Sequence, residues 1–456
     1  MRSRTAAPDI LPASATATKW RNLRRSIRKS YIKIMATRIE AAAICIYTGA
    51  MAQDALGALS AMGRRAGHSS NAGTTNLERI TSVASVRILV LEGDGIGPEI
   101  CASTVRTLTE VSQILGIELN VETALIGFAA FQLHGTTFPA SVLEAAREAD
   151  GVVLGPVSHN EYPAVEKGGL NPSGLLRKEL DLYANIRPAR TWPGLKARFG
   201  SPVDLVIVRE NTEGFYSDRS MYLGPGEIMP DQDLALSFRK ISRAASARIA
   251  ESAFALARRR RKHVTAVHKA NVLRVSDGLF LDSVRVVASR YPDVGYQEKI
   301  VDAMAALLVR DASQFDVIVS TNMFGDILSD EAAEIAGGLG LAASLNAGCK
   351  HAVAQAQHGS APDLAGRGIA NPTSLIGSAA MLLRWIGERR DDHRVADAAR
   401  LIEKALGETL ANPAHRTVDL DGPLDTVSFT DCVIARMRMS ERRTCTAQGI
   451  NGGSER

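Results

Sequence analysis

Residues 86–440 of this 456-residue sequence predict an α/β chain built on a mostly parallel sheet. Three observations carry that expectation. Short apolar runs such as Val86–Leu91 (VRILVL), Gly151–Leu154 and Asp316–Ser320 (DVIVS) read as buried strands. Stretches apolar at helical spacing follow, around Ile100–Leu115 and Ile327–Ala336. The two kinds of element then alternate to about residue 440.

Taken in order, residues 1–85 stand apart. They are Arg- and Ser-rich and poor in acids up to Ala50, then Ala/Gly/Ser-rich without a sustained period. Such a stretch reads as a disordered extension, as residues added by an upstream start codon, or as a targeting segment. Its first fifty residues hold ten Lys or Arg against Asp9 and Glu40, a balance of +8 within a chain total of +5. The rest is therefore net acidic by three charges, which excludes a basic footprint for nucleic acid. The apolar patch Ala41–Ala50 is too short to span a bilayer, so no membrane partner is expected. The five cysteines are scattered and odd in number, as free thiols in a reducing compartment are. That points to the cytoplasm, or to the mitochondrion if residues 1–85 act as a transit segment.

After the first strand comes the turn Gly93-Asp94-Gly95-Ile96-Gly97-Pro98. It lacks the third glycine at the dinucleotide-binding spacing, so a Rossmann fold is a poor match. A strand around Glu118–Thr123 follows the helix at Ile100–Leu115, and a loop, Gly155–Gly169, follows the strand Gly151–Leu154. Asn171 then caps a helix with Pro172 in its first turn. Arg177 falls inside that helix, Arg187 in the extended segment before Pro188, and Arg209 after the apolar strand Val203–Val208. Arginines at element ends near a cleft bind carboxylates bidentately. The basic run Arg258–Lys262 ends the helical pattern Ala244–Ala257, where cations complement the macrodipole. The tail from residue 441 is polar and expected to be mobile.

The run NMFGDILSDEAAEIAGG (322–338) is the most informative stretch, through Asn322, Phe324, Gly325, Asp326, Ser329 and Asp330. Asp326 and Asp330 are four apart and share a helix face. Two carboxylates stacked that closely repel unless a cation or proton lies between them, and a hard divalent metal suits oxygen ligands. An acid-rich N-terminal turn, favoured by the helix dipole, is the other reading of the same pair.

The blocks GDGIGPE, LLRKELDLYANIRP, VRENTEGFY, HKANVLR, VDAMA, NMFGDILSDEAA and HGSAPDLAGRGIANPTS follow one another over about residues 86–436. In this order they resemble the isocitrate and 3-isopropylmalate dehydrogenase family, NAD(P)-dependent β-decarboxylating dehydrogenases. The resemblance implies the two-domain fold of that family, with residues 86–183 and 337–440 forming a large, NAD-binding domain. Residues 184–336 would form a small domain carrying the dimer interface and the metal and substrate site. It assigns Arg177, Arg187 and Arg209 to the carboxylates of a malate-like substrate, and Tyr216 and Lys269 to catalysis. Asp302, Asp326 and Asp330 match the carboxylates that hold Mg²⁺ or Mn²⁺. Lys269 and Asp302 would reach the neighbouring subunit's cleft, so a homodimer, or a higher oligomer built from it, would share its active sites. His358, Gly359, Ser360, Ala361 and Asp363 match the adenosine-binding loop, with Asn371 further along the adenine site. A carboxylate at Asp363 suits the ribose hydroxyls of NAD and would meet a 2′-phosphate with like charge.

Three departures from the family pattern leave the substrate open. Gln355-Ala356-Gln357 stands where Glu-Pro-Val is common, and Ser158-His159-Asn160 replaces glycines. The segment before Arg177 lacks the Glu-x-Gly-Leu-Leu that encloses an isopropyl group. Isocitrate enzymes place Ser and Asn six and four residues before this arginine, where this chain has Asn171 and Ser173, exchanged. The small 2-hydroxy acid is thus a 3-substituted malate of the isopropylmalate or isocitrate type, with homoisocitrate, tartrate and D-malate as alternatives. A non-catalytic regulatory subunit is a further alternative, disfavoured because Lys269, Tyr216 and all three aspartates are present.

Overall fold

The structure, a computed structural model, describes residues 85–450 except 217–220, 222, 223 and 225, and describes no side chains beyond residue 441. The extension 1–84 and the last residues, 451–456, lie outside the described part. The strands are β1 (Val86–Leu91), β2 (Leu119–Ala124), β3 (Gly151–Leu154), β4 (Ala184–Arg190), β5 (Asp204–Glu210), β6 (Glu227–Asp231), β7 (Leu234–Ser237), β8 (His263–His268), β9 (Gly295–Ile300), β10 (Val317–Ser320), β11 (Leu345–Ala347) and β12 (Ala352–Gln355). The helices are α1 (Gly97–Leu115), α2 (Gly127–His134), α3 (Ala140–Glu148), α4 (Pro172–Glu179), α5 (Arg243–Arg258), α6 (Ser276–Ala288), α7 (Val301–Asp311), α8 (Asn322–Ala336), α9 (Thr373–Arg390), α10 (His393–Ala411) and α11 (Thr426–Ile450). The last of these runs well into the stretch that reads as a mobile tail.

Ten strands form one mixed sheet in the order β2-β1-β3-β12-β11-β4-β5-β10-β8-β9, while β6 and β7 pair by themselves as an antiparallel hairpin. Pairing is parallel towards both edges and antiparallel only in the middle, at β12–β11, β11–β4 and β4–β5. The expected α/β architecture with a mostly parallel sheet is therefore present. Strands β5, β8 and β10 carry apolar residues on both faces because helices cover both, as parallel pairing requires. Over β4, β5, β8 and β10, one face packs Val206, Val208 and Val264 against Ile249, Phe254 and Val284 of α5 and α6. The opposite face packs Leu205, Ile207 and Ile318 against Met304, Leu308, Leu328 and Ile335 of α7 and α8.

Two helices begin earlier than their apolar periods indicate. Helix α1 starts at Gly97, with Pro98 in its first turn, and closes on Gly116 in the left-handed region at φ +60°. Helix α8 starts at Asn322, directly after β10, so it has no acid in its first turn. Asp326 and Asp330 lie further along it, and the dipole reading of that pair loses its footing.

Candidate active site

The sheet register places the arginines. In the antiparallel β4–β5 ladder Asn185 faces Arg209 and Arg187 faces Ile207, so Arg187 and Arg209 project from the same face, diagonally apart. That face is the one α8 covers. Gly325 permits the approach, because a Cβ there would lie 2.8 Å from Arg209 Cβ.

Arg187 Nη1 donates to Asp326 Oδ1 at 3.1 Å, Asp330 Oδ1 at 3.1 Å and Ser329 Oγ at 2.7 Å. Arg209 pairs with Asp326 Oδ1 through Nη1, while Nε and Nη2 donate to Asn322 Oδ1 at 2.9 and 2.7 Å. Tyr216 donates its hydroxyl to Asp326 Oδ2 at 3.2 Å. The arginine side chains are only 9% and 2% exposed, so their charges are fixed in position and need the carboxylates opposite them. Burial opposes the charge on Asp326, but the guanidinium groups of Arg209, Arg187 and Arg177 outweigh it and hold this carboxyl below the usual carboxylate range.

Helix α4 brings Arg177. Asn171 Oδ1 caps the helix by accepting from Gly174 N at 3.1 Å, as its position predicts. Gln355 Oε1 gathers Ser173 Oγ at 3.2 Å, Arg177 Nη2 at 3.4 Å and Asn346 Nδ2 at 3.4 Å. Gln357 donates to Asp330 Oδ1 at 2.8 Å. The sequence marks both glutamines as departures and assigns neither to the site; a polar pair at the end of β12 is the signal that was there.

Lys269 follows β8, and its Nζ meets Asp302 Oδ1 of α7 at 2.5 Å. The ammonium holds the Asp302 carboxyl below its usual range. Asp302 is thereby separated from Asp326 and Asp330 in its bonding. Among the described residues no three His, Cys, Asp or Glu side chains form a group that could hold a metal. Asp326 and Asp330 by themselves fit a hard cation in one respect: both Oδ1 atoms converge on the guanidinium nitrogen of Arg187, a point already held by positive charge.

The segment between β12 and α9 carries His358, Gly359, Ser360, Ala361, Asp363 and Asn371. The glycine-rich turn after β1 braces it: Ile96 N donates to Ser360 O at 2.9 Å, and a Cβ on Gly95, at φ +58°, would stand 2.0 Å from that oxygen. Ser158 Oγ lies 2.8 Å from Ser360 Oγ. Ala361 takes φ +40°, unusual for a residue with a Cβ. Burial pushes the His358 imidazole below its usual range, and its Nδ1 lies 2.9 Å from Gly359 O. Asn371 donates to Asp419 at 3.0 Å and accepts from Thr373 N at 3.0 Å, and Asp363 is exposed. Cys101 and Cys432 are free thiols, and no described helix is long and apolar enough to cross a membrane.

Fold and cluster together describe an α/β chain that holds acidic and arginine side chains in one polar site over a sheet. Residues 87–433 match the isocitrate/isopropylmalate dehydrogenase family model. The chain is 42% identical to an isocitrate/homoisocitrate dehydrogenase of Thermus thermophilus over 354 residues, 77% of this chain and 98% of that protein. It is 40% identical to a 3-isopropylmalate dehydrogenase of Sulfurisphaera tokodaii, over 74% of this chain and 94% of that protein. The crystal structure of an isocitrate dehydrogenase from Methylococcus capsulatus superposes with a TM-score of 0.68 at 41% identity, covering 77% of this chain and 99% of that one. The chain belongs to the isocitrate/isopropylmalate dehydrogenase family. It is a dehydrogenase, and membership supports oxidative decarboxylation of a hydroxy acid.

Proposed function

We propose that this chain oxidises and decarboxylates a 3-substituted malate with NAD and Mg²⁺ or Mn²⁺, as a homodimer with shared sites. The observation that carries the reading is the convergence of Arg187, Arg209 and Tyr216 on Asp326. NAD would supply the hydride acceptor, and the divalent cation would supply positive charge that eases ionisation of the substrate hydroxyl. Asp326 and Asp330, joined by Asp302 of the other subunit, are the residues that would hold the cation. Arg177, Arg187 and Arg209 bind the substrate carboxylates. Lys269, also from the other subunit, accepts the hydroxyl proton, and Tyr216 returns one to carbon after CO₂ leaves. His358–Asp363 and Asn371 hold the adenosine end of NAD, with Asp363 at the ribose.

The polar start of α4 supports a substrate with a polar group on its third carbon, of the isocitrate or homoisocitrate type, over isopropylmalate: Ser173 is held by an amide there. The core supports a division into residues 86–183 with 337–440 and residues 184–336. Two apolar clusters draw their buried residues only from 184–336. A third is built from residues 86–153 and 341–437 together with Trp192. The deciding experiment is a screen of NADH formation with Mg²⁺ against isocitrate, homoisocitrate, isopropylmalate, tartrate and D-malate. Turnover of one or more is expected; none would sink the reading.

A further inference from the structure

Lys269 and helix α8 are joined inside one chain by a buried ion pair that the proposed chemistry does not use. Asp277, in the first turn of α6, is fully buried, with its side chain 0% exposed, and divides its two oxygens. Oδ2 accepts the backbone N–H of Lys269 at 2.5 Å, and Oδ1 accepts Arg239 Nη1 at 2.5 Å. Arg239, 8% exposed, divides its fork in turn. Its Nη1 also reaches Ser276 Oγ at 3.0 Å, and its Nη2 donates to Thr321 Oγ1 at 3.1 Å, one residue before α8. The guanidinium carbon lies 5.2 Å from the ring centre of Phe324, in the first turn of α8, and 5.8 Å from that of Phe215, next to Tyr216.

We propose that Arg239 and Asp277 are positioning residues that fix Lys269 relative to α8 and Tyr216. The proposal rests on the reading of Lys269 as the base and of α8 as the carboxylate helix. A buried ion pair is a weak source of stability, since desolvation offsets its attraction, whereas it does fix geometry. The bonds run without a break from Lys269 through Asp277 and Arg239 to Thr321. If Lys269 serves the neighbouring subunit's site while α8 serves its own, the pair sets the spacing between one chain's contributions to two sites.

The test compares Arg239→Lys, Asp277→Asn and Thr321→Val with Lys269→Ala. Lysine keeps a charge beside Asp277 but cannot fork to Thr321 as well. Asparagine offers one acceptor oxygen to two donors. Thr321 makes no side-chain cap bond to α8, so its change to valine removes only the link to Arg239. Arg239→Lys and Asp277→Asn are expected to lower kcat at least ~10-fold with KM values within ~2-fold, the pattern of misplaced catalytic groups. Thr321→Val should lower kcat ~3-fold without moving the melting temperature by more than a few degrees. Wild-type kcat in either Arg239→Lys or Thr321→Val would overturn the proposal. So would losses that track KM or the melting temperature. If Asp277→Asn does not fold, these two decide. Turnover by Lys269→Ala would instead overturn the reading of the base; a dead Lys269→Ala beside a fully active Arg239→Lys overturns the bridge alone.

Discussion

Lys269 Nζ donates to Asp302 Oδ1 across 2.5 Å, on a carboxylate whose side chain is 68% exposed. The pair therefore faces outward, bonded apart from the Asp326–Asp330 cluster, which suits residues offered to another chain. Homodimers of Lys269→Ala and of Asp326→Asn should each be nearly inactive, since each lacks one part of both sites. Mixed under conditions of subunit exchange, they should form heterodimers with one doubly damaged site and one intact site. Activity should then rise towards about a quarter of wild type, because half the dimers are mixed and half their sites are whole. Demonstrated exchange with no recovered activity would leave the base to a residue of the same chain.

Replacing Asp326 by Asn alone removes a charged oxygen donor at nearly constant volume. It should cut kcat by at least ~10²-fold, the scale of losing a charge-stabilising group. It should also lower the melting temperature, since buried Arg209 loses its carboxylate partner. The stability contributed by the ionised Asp326, whose folded pKa is depressed, is present above the ordinary carboxylate range and is lost as pH falls through the lowered value. Wild-type turnover that EDTA leaves unchanged would exclude the metal.

On the proposed reading, Asp363 sets the coenzyme choice. NAD should be preferred over NADP by on the order of 10² in kcat/KM, because a 2′-phosphate would meet the carboxylate with like charge. Asp363→Asn should narrow the ratio chiefly through KM for NADP. Equal use of both coenzymes by the wild type would show that this loop does not read the ribose.

A pH effect on stability should come from His268, which is buried beside Lys269. Burial depresses its imidazole, against the pull of Glu298 and Asp277, and its Nδ1 accepts the Ala270 N–H at 3.0 Å, which only the unprotonated nitrogen can do. Folding thus favours the neutral ring. Stability is full above the unfolded value of 6.5 and declines as pH falls from there to the lowered folded value. The drop in melting temperature between pH 7 and pH 5.5 should shrink in His268→Asn, whose amide oxygen accepts the same bond without titrating. An unchanged drop would assign the effect to other groups.

Local signals account for what the sequence reveals. Asn171 before Pro172 marks a cap, and the strand at residues 316–320 followed by a helical period places Asp326 and Asp330 on one helix, both without tertiary information. The start of α8 is hidden because Gly325, a poor helix former, interrupts the pattern between Met323-Phe324 and the apolar period that begins at Ile327. Arg239 and Asp277 are hidden for a different reason: 38 residues separate them, and each alone reads as a surface arginine or a helix-start acid. Their burial exists only once β8, α6 and α8 pack together. Gln355 is visible as an oddity, but its role as a shared acceptor depends on α4 lying against β12.

Arg187 and Arg209 hang from one hydrogen-bond ladder, and a ladder shifts only by whole residues, a single step turning each side chain to the opposite face. The spacing between the two arginine stems is therefore fixed by register and cannot be adjusted by small increments. The first turn of α4 and its amide partner Gln355 lie outside that ladder, and a substitution there leaves both arginines in place. Relatives named for isocitrate and homoisocitrate and for 3-isopropylmalate lie at nearly equal distance from this chain, 42% and 40% identical. Overall identity therefore does not separate the two substrate classes, and a polar contact such as that of Ser173 with Gln355 has to do so.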